Sequence, residues 1–158
     1  IEVNIPHNWD DYYGYRQLTH GNLHGTAIYE KTFTLDDSQF LISNSSFGKR
    51  YFLRFEGVGT YATITLNGKD FGRHPVGRTT LTLDVTDALK LGENKLVVKA
   101  EHPEMIADMP WVCGGCSSEW GFSEGSQPLG IFRPVVLEAT DEIRIEPFGV
   151  HIWNDDKA

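Results

Sequence analysis

The chain has 158 residues, with 22 acidic against 14 basic side chains and a formal charge of −8 before histidine is counted. No basic run is longer than Lys49-Arg50, which excludes a nucleic-acid surface, since that needs clustered Lys and Arg to displace counterions. No window approaches the ~20 apolar residues of a spanning helix, so no membrane partner is expected.

The opening Ile1-Glu2-Val3-Asn4 has neither the basic start nor the apolar stretch of a signal peptide. The protein is expected to be cytoplasmic or to have lost such a signal. A chain of this length suits a single domain that buries roughly two-thirds of its unfolded surface without staples. Cys113 and Cys116 are then optional for folding. Sixteen Gly, seven Pro and 12% aromatic residues point to short strands joined by many turns.

In chain order, residues 8–25 come first, an irregular stretch that sets Trp9, Tyr12, Tyr13 and Tyr15 among acidic and small residues. Ile28 to Leu35 is rich in strand formers. Tyr51, Leu53 and Phe55 share one face of the next strand, with Arg54 and Glu56 on the other. Ala62, Ile64 and Leu66 alternate likewise and run into Asn67-Gly68, the dipeptide of a type I′ hairpin turn, where both central residues need positive φ. Leu81, Leu83 and Val85 repeat the period of two, and Asp84 to Leu89 has room for one helical turn. Leu91 to Asn94 reads as a loop, and Lys95–Ala100, Gly130–Ala139 and Ile143–Trp153 read as strands. The sum is about eight strands and no long helix, which predicts an all-β antiparallel sandwich.

Residues 102–129 interrupt this rhythm. A structureless connection of that length is unusual in a compact domain and tends to carry function. It holds Trp111, Trp120, Phe122 and both cysteines. Cys113-Gly114-Gly115-Cys116 has redox-dithiol spacing, but the motif wants a βαβ setting with a helix after the first cysteine, which the glycines and Ser117-Ser118 oppose. A zinc site wants two further ligands at paired spacing, and only His102 is near. Two small residues stiffening a loop is the plainer reading, so neither cofactor nor metal is expected.

His20 and His24 have i, i+4 spacing, but Gly21 and Gly25 oppose a helix and no glutamate follows His20 as in a zinc-protease helix. Glu101, Glu104, Asp108, Glu119 and Glu124 could include a glycosidase carboxylate pair, yet none sits in a specific motif and isolated charges are usually solvated. Asn44-Ser45-Ser46 is a formal glycosylation sequon that matters only in a eukaryotic secretory route. The aromatic loops can stack on sugar C–H faces or pack on another domain, and their composition leaves both open.

Five short motifs occur in an order that resembles glycoside hydrolase family 2, in particular its β-galactosidase-like bacterial members. Ile5-Pro6-His7-Asn8-Trp9 resembles that family's Val-Pro-His-Asp-Trp, and Tyr29-Glu30-Lys31-Thr32-Phe33 its Tyr-Arg-Lys-x-Phe strand. Phe52 to Val58, followed by Asn67-Gly68-Lys69, is similar to the Phe-Glu-Gly-Val hairpin and its turn. Asp84-Val85-Thr86 with Gly92 to Val98 resembles Asp-Val-Thr and Gly-x-Asn-x-Leu-x-Val. Gly130-Ile131-Phe132-Arg133-Pro134-Val135 matches Gly-Ile-Tyr-Arg-x-Val. The resemblance covers residues 5–137. Departures fall in the turn Gly72 to Thr79, with Pro75 followed by Val76 in place of a family glycine and Arg78 in place of a ring, and in the 102–129 loop.

The resemblance implies an N-terminal jelly-roll, galactose-binding-like sugar-binding domain over residues 1–140. Residues 141–158 would be a linker or the first strand of an immunoglobulin-like domain, with a (β/α)₈ barrel carrying both catalytic glutamates beyond it. No catalytic residue is then expected in this chain. In relatives the connection before Gly-Ile-Tyr-Arg reaches the rim of the barrel's active site, which makes Asp108, Trp111, Glu119 and Trp120 the substrate-rim candidates. The expected partners are those downstream domains and a carbohydrate bound weakly or only beside them. The periplasm or exterior of a bacterium is expected rather than the cytoplasm. An autonomous carbohydrate-binding module is the alternative, and a wholly structural domain a third.

Overall fold

The alternating pattern builds two antiparallel sheets in the computed structural model, which describes residues 1–9, 25–36, 49–103, 105–106, 116–117 and 129–154. The strands are β1 (Gly25–Leu35), β2 (Lys49–Phe55), β3 (Val58–Leu66), β4 (Lys69–Gly77), β5 (Leu81–Asp84), β6 (Gly92–His102), β7 (Met105–Ile106), β8 (Cys116–Ser117) and β9 (Val135–Asp141). One sheet runs β1-β6-β3-β4, the other β5-β2-β9, and β7 pairs with β8 in a two-stranded ribbon. The result is the expected galactose-binding-like β-sandwich. Among the described residues no helix is long and apolar enough to cross a membrane.

The core lies between the sheets. Ala62, Ile64 and Leu66 of β3 and Leu96, Val98 and Ala100 of β6 face Tyr51, Leu53 and Phe55 of β2, and all are buried. Register aligns them, with Ile64 opposite Val98 and Leu53 flanked by Leu83 and Leu137. Each fully buried large apolar side chain stabilises the fold by roughly 1.5–3 kcal/mol relative to exposure. Pro75 sits on β4, an edge strand, where a missing N–H is tolerated.

Asn67 and Gly68 have φ of 52° and 83°, as the type I′ turn requires. The Asn67 side chain also ties this turn to its neighbours. Its amide donates to the Ala88 carbonyl at 2.8 Å and to Asn94 Oδ1 at 2.7 Å, and its oxygen accepts the Lys95 N–H at 2.9 Å. Asn94 is fully buried. It accepts the Lys90 N–H at 3.0 Å and donates to the carbonyls of Lys90 at 2.7 Å and Gly92 at 2.9 Å. The expected single helical turn is a 3-10 turn at Thr86–Ala88.

Four expectations need correction. Leu91–Asn94 is not wholly a loop, because β6 starts at Gly92 and Asn94 satisfies the adjoining turn. The strand expected over Gly130–Ala139 starts only at Val135, because the backbone before it bonds to other segments: Gly130 O accepts from Gly59 N, Ile131 O from His7 N and Pro134 O from Glu56 N. The 102–129 connection is not structureless, since it contains the β7-β8 ribbon. Ile143–Trp153 forms no strand: a one-sided apolar strand needs a sheet to cover it, and Ile143, Ile145, Val150, Ile152 and Trp153 are exposed.

Candidate functional site

The long connection leaves the sandwich at His102 and returns at Leu129, and both roots are pinned inside the fold. His102, at the inward end of β6, is fully buried, with Nδ1 2.7 Å from Thr60 Oγ1. Leu129 is buried, and its N–H donates to Asn8 Oδ1 at 3.1 Å. The next carbonyl, Gly130 O, accepts from Gly59 N at 2.8 Å, and the His7 N–H donates to Ile131 O at 2.7 Å. The N-terminal segment is thus stitched to the returning root.

Tyr29, on the inner face of β1, completes this junction. Its Oη lies 2.8 Å from His7 Nδ1, with the two rings edge-to-face at 5.8 Å. Burial raises the Tyr29 hydroxyl pKa above its ordinary 10.0, and a hydrogen bond with the Ile131 backbone offsets part of that. Gly130 has φ +87°, and a β-carbon there would collide with Tyr29 Oη and come within 3.0 Å of the His7 carbonyl and 3.2 Å of the Trp9 ring. Only glycine fits, which explains why three separated motifs contain His-Asn-Trp, Tyr and Gly-Ile: they meet here.

On the outer face beside the departing root, Arg73 lies 3.6 Å over the Tyr61 ring and pairs with Glu101 at 3.1 Å, while Lys99 reaches the same carboxylate at 3.0 Å. Burial would raise the Glu101 pKa, but Lys99 and Arg73 outweigh it and hold it below 4.5. Arg133 donates to the carbonyls of Arg78 at 3.0 Å and Glu56 at 3.4 Å, fastening the divergent turn to the return root. Glu56 itself pairs with Arg54 at 2.6 Å. The carboxylates described at this end are therefore neutralised by cations, which suits a scaffold better than a proton-transferring pair. Among the described residues no group of three or more His, Cys, Asp or Glu side chains could hold a metal ion.

Between the sheets, beneath residues 1–9, lies a cleft of about 810 Å³ bordered by Tyr29, Phe33, Leu53, Ile131 and Leu137. Its floor is apolar, with Leu96 and Val98 of β6 beside those residues, while Glu2, Asn4, His7, Glu30 and Lys31 add polar groups to its lining.

The substrate-rim candidates Asp108, Trp111, Glu119 and Trp120 lie outside the described residues, as do Cys113, His20, His24, Glu104 and Glu124. Cys116 begins β8, paired opposite Ile106. Sequence reasoning missed Thr60, His102 and Asn8 as anchors of the loop. The usable signal was their position: His102 opens the loop, Asn8 sits in the Ile5-Pro6-His7-Asn8-Trp9 motif, and Thr60 follows just after the Phe-Glu-Gly-Val segment.

Comparison with known proteins agrees with this geometry. Residues 9–109 match the glycosyl hydrolase 2 galactose-binding domain-like model. A β-glucuronidase from Bacteroides fragilis is 32% identical over 92% of this chain, and the matched region is 18% of that protein. The β-galactosidase BoGH2A of Bacteroides ovatus is 26% identical over 95% of this chain and 16% of its own length. Among solved structures, a Bacteroides fragilis protein superposes with a TM-score of 0.68 at 32% identity, covering 93% of this chain and 20% of that one. A Bacteroides uniformis β-glucuronidase superposes at 0.64 with 25% identity, over 94% and 16%. The chain thus spans a fifth or less of these relatives. With the motif order, the sandwich topology and the pinned loop roots in agreement, the chain belongs to the glycosyl hydrolase 2 galactose-binding domain-like family.

Proposed function

We propose that this chain is the non-catalytic N-terminal domain of a multidomain family 2 β-glycosidase acting on β-glucuronides or β-galactosides, and that it supports the catalytic barrel. The observation that carries this reading is the ratio of coverage: 92% of this chain matches 18% of a β-glucuronidase. The remaining length leaves room for a barrel, and two carboxyl groups held roughly 5 Å apart on a rigid scaffold are what a retaining mechanism requires.

The same reading gives the 102–129 loop its role. Its roots are fastened by Thr60, Asn8 and Gly59, so the loop is carried from a rigid end of the sandwich, as a loop that lends residues to a substrate rim must be. Asp108, Trp111, Glu119 and Trp120 are its candidate contacts, the acids for sugar hydroxyls and the indoles for C–H faces.

The test has two arms. The 158-residue chain is assayed on aryl β-glucuronides and β-galactosides, with no turnover expected. In the longer enzyme, Asp108→Ala and Trp120→Ala are expected to lower kcat/KM by about 10-fold or more while leaving folding intact. Turnover by this chain that disappears in Glu119→Gln or Glu124→Gln would overturn the non-catalytic assignment, and wild-type kcat/KM in both longer-enzyme variants would overturn the rim assignment.

A further inference from the structure

We infer that Arg144 is a positioning residue: by stacking on Phe52 it fixes the direction in which the chain leaves the sandwich after β9 and presents Ile143 and Ile145 as an apolar ridge for the domain that follows. The inference rests on the reading that another domain follows, and its first test does not.

Phe52 lies on the outer face of the β5-β2-β9 sheet, in register with Asp84 on one side and Glu138 on the other. An outward phenylalanine there would normally face water, yet Phe52 is only 7% exposed. Its cover is cationic. The Arg144 guanidinium carbon stands 3.3 Å from the ring centroid and that of Arg50 stands 6.0 Å away. Arg144 is correspondingly sequestered, its side chain 13% exposed although its ion-pair partner Glu146, at 2.9 Å, is 73% exposed. A planar guanidinium can lie flat on a ring in a way that an ammonium cannot.

The consequence for the backbone follows from alternation. With Arg144 turned onto the sheet, Ile143 and Ile145 turn outward, 78% and 72% exposed. The segment then closes a local turn in which Gly149 N donates to Glu146 O at 2.8 Å and Phe148 adopts φ 61°. A β-carbon at Gly149 would come within 2.8 Å of that same carbonyl, so the turn requires glycine. This stretch is outside any sheet and still has a defined course, set by one side chain. Arg73 covers Tyr61 on the opposite sheet at 3.6 Å, but that pair joins two strands of the sandwich. The Arg144 pair instead fastens the chain beyond the last strand, and the apolar residues it turns outward lie outside the hydrophobic core.

Trypsin tests the clamp on this chain alone, because Arg144 is itself a cleavage site. Scission after residue 144 is followed by mass spectrometry under native conditions, each rate divided by that of a free peptide of residues 139–150, which carries the same substitution for the variants at 144 and 146 and the wild-type sequence for those at 52. Wild type is expected to be protected. Arg144→Lys, which keeps the charge and the cleavage site but loses the plane, is expected to be cut about tenfold faster at an unchanged thermal midpoint. Phe52→Leu should behave like Arg144→Lys, whereas Phe52→Tyr, which keeps the ring, and Glu146→Gln, which keeps the stack, should retain wild-type protection. Cleavage of wild type at the free-peptide rate, or Arg144→Lys no faster than wild type, would overturn the clamp. In the longer enzyme, Ile143→Ser/Ile145→Ser is expected to split one melting transition into two, and an unchanged single transition would overturn the ridge. A natural polypeptide found to carry no domain after this one would refute the functional reading, and protection of Arg144 in the chain alone would still leave the clamp standing.

Discussion

Gly57 packs directly beneath the ring of Phe132: a β-carbon on Gly57 would come within 2.8 Å of Phe132 Cζ, 2.9 Å of its Cε2 and 3.0 Å of Arg133 Cδ. The contact joins the segment that closes β2 to the segment that precedes β9, and so connects two motifs that stand far apart in the chain. Phe132 cannot retreat freely, since Arg133 beside it is fixed to the carbonyls of Glu56 and Arg78. Gly57→Ala is therefore expected to cost about 1–3 kcal/mol by overpacking, measured by urea denaturation. Adding Phe132→Leu should restore part of the loss, and full additivity of the two losses would contradict this account.

Asn94 is expected to be the most sensitive polar position. Replacing it by Ala leaves the Lys90 N–H, the Lys90 and Gly92 carbonyls and the Asn67 amide without this partner. A loss of about 2–3 kcal/mol is expected. Lys95→Ala next to it removes only an exposed pair with Glu30 and should fall within about 0.5 kcal/mol of wild type.

Much of the sandwich was legible in the chain because its strands are half-buried and alternate. Ala62, Ile64 and Leu66 are inward, and Asn67-Gly68 turns where expected. The same logic misled at Ile143–Trp153, where alternation is present but no strand among the described residues pairs with it, and Arg144 goes onto Phe52 instead. It also misplaced the start of β9, because Gly130 to Pro134 bond to His7, Gly59 and Glu56, partners distant in sequence. At the site, motif order brought His7, Trp9, Tyr29 and Gly130 into view as family features. Their convergence is a tertiary fact that no local pattern encodes, and the buried contact of Thr60 with His102 carries no motif at all.

Stability should fall on the acid side in a way that two carboxylates explain. Burial would raise the Asp84 pKa, but hydrogen bonds from Thr86 and Arg50 outweigh it and lower it below 3.8; Glu101 is lowered below 4.5 by Lys99 and Arg73 against the same burial effect. A depressed folded-state pKa contributes stability that is present above the unfolded value and lost as pH falls through the folded one. Thermal midpoints should therefore decline as pH drops below those ordinary values, and Asp84→Asn/Glu101→Gln should flatten the decline. Both groups are partly exposed, so the effect should also weaken with added salt.

On the alkaline side the relevant group is Tyr29. Its hydroxyl pKa is raised above 10.0 by burial, so its contribution is complete below that value and is lost as pH rises through the higher folded-state pKa. Ultraviolet titration should show a late-ionising component that is absent in Tyr29→Phe. Ionisation of that component near pH 10 without unfolding would contradict the placement of Tyr29 against His7 and Gly130.

The central claim is that this domain contributes to sugar recognition only beside the rest of its enzyme. Calorimetric titration of galactose and glucuronate into the 158-residue chain, with tryptophan fluorescence followed in parallel, tests it most directly. One contributing loop without the barrel wall opposite should give less than about 4 kcal/mol, so no saturable binding is expected below about 1 mM. Saturable micromolar binding by the chain alone would contradict the account and make it an autonomous carbohydrate-binding module.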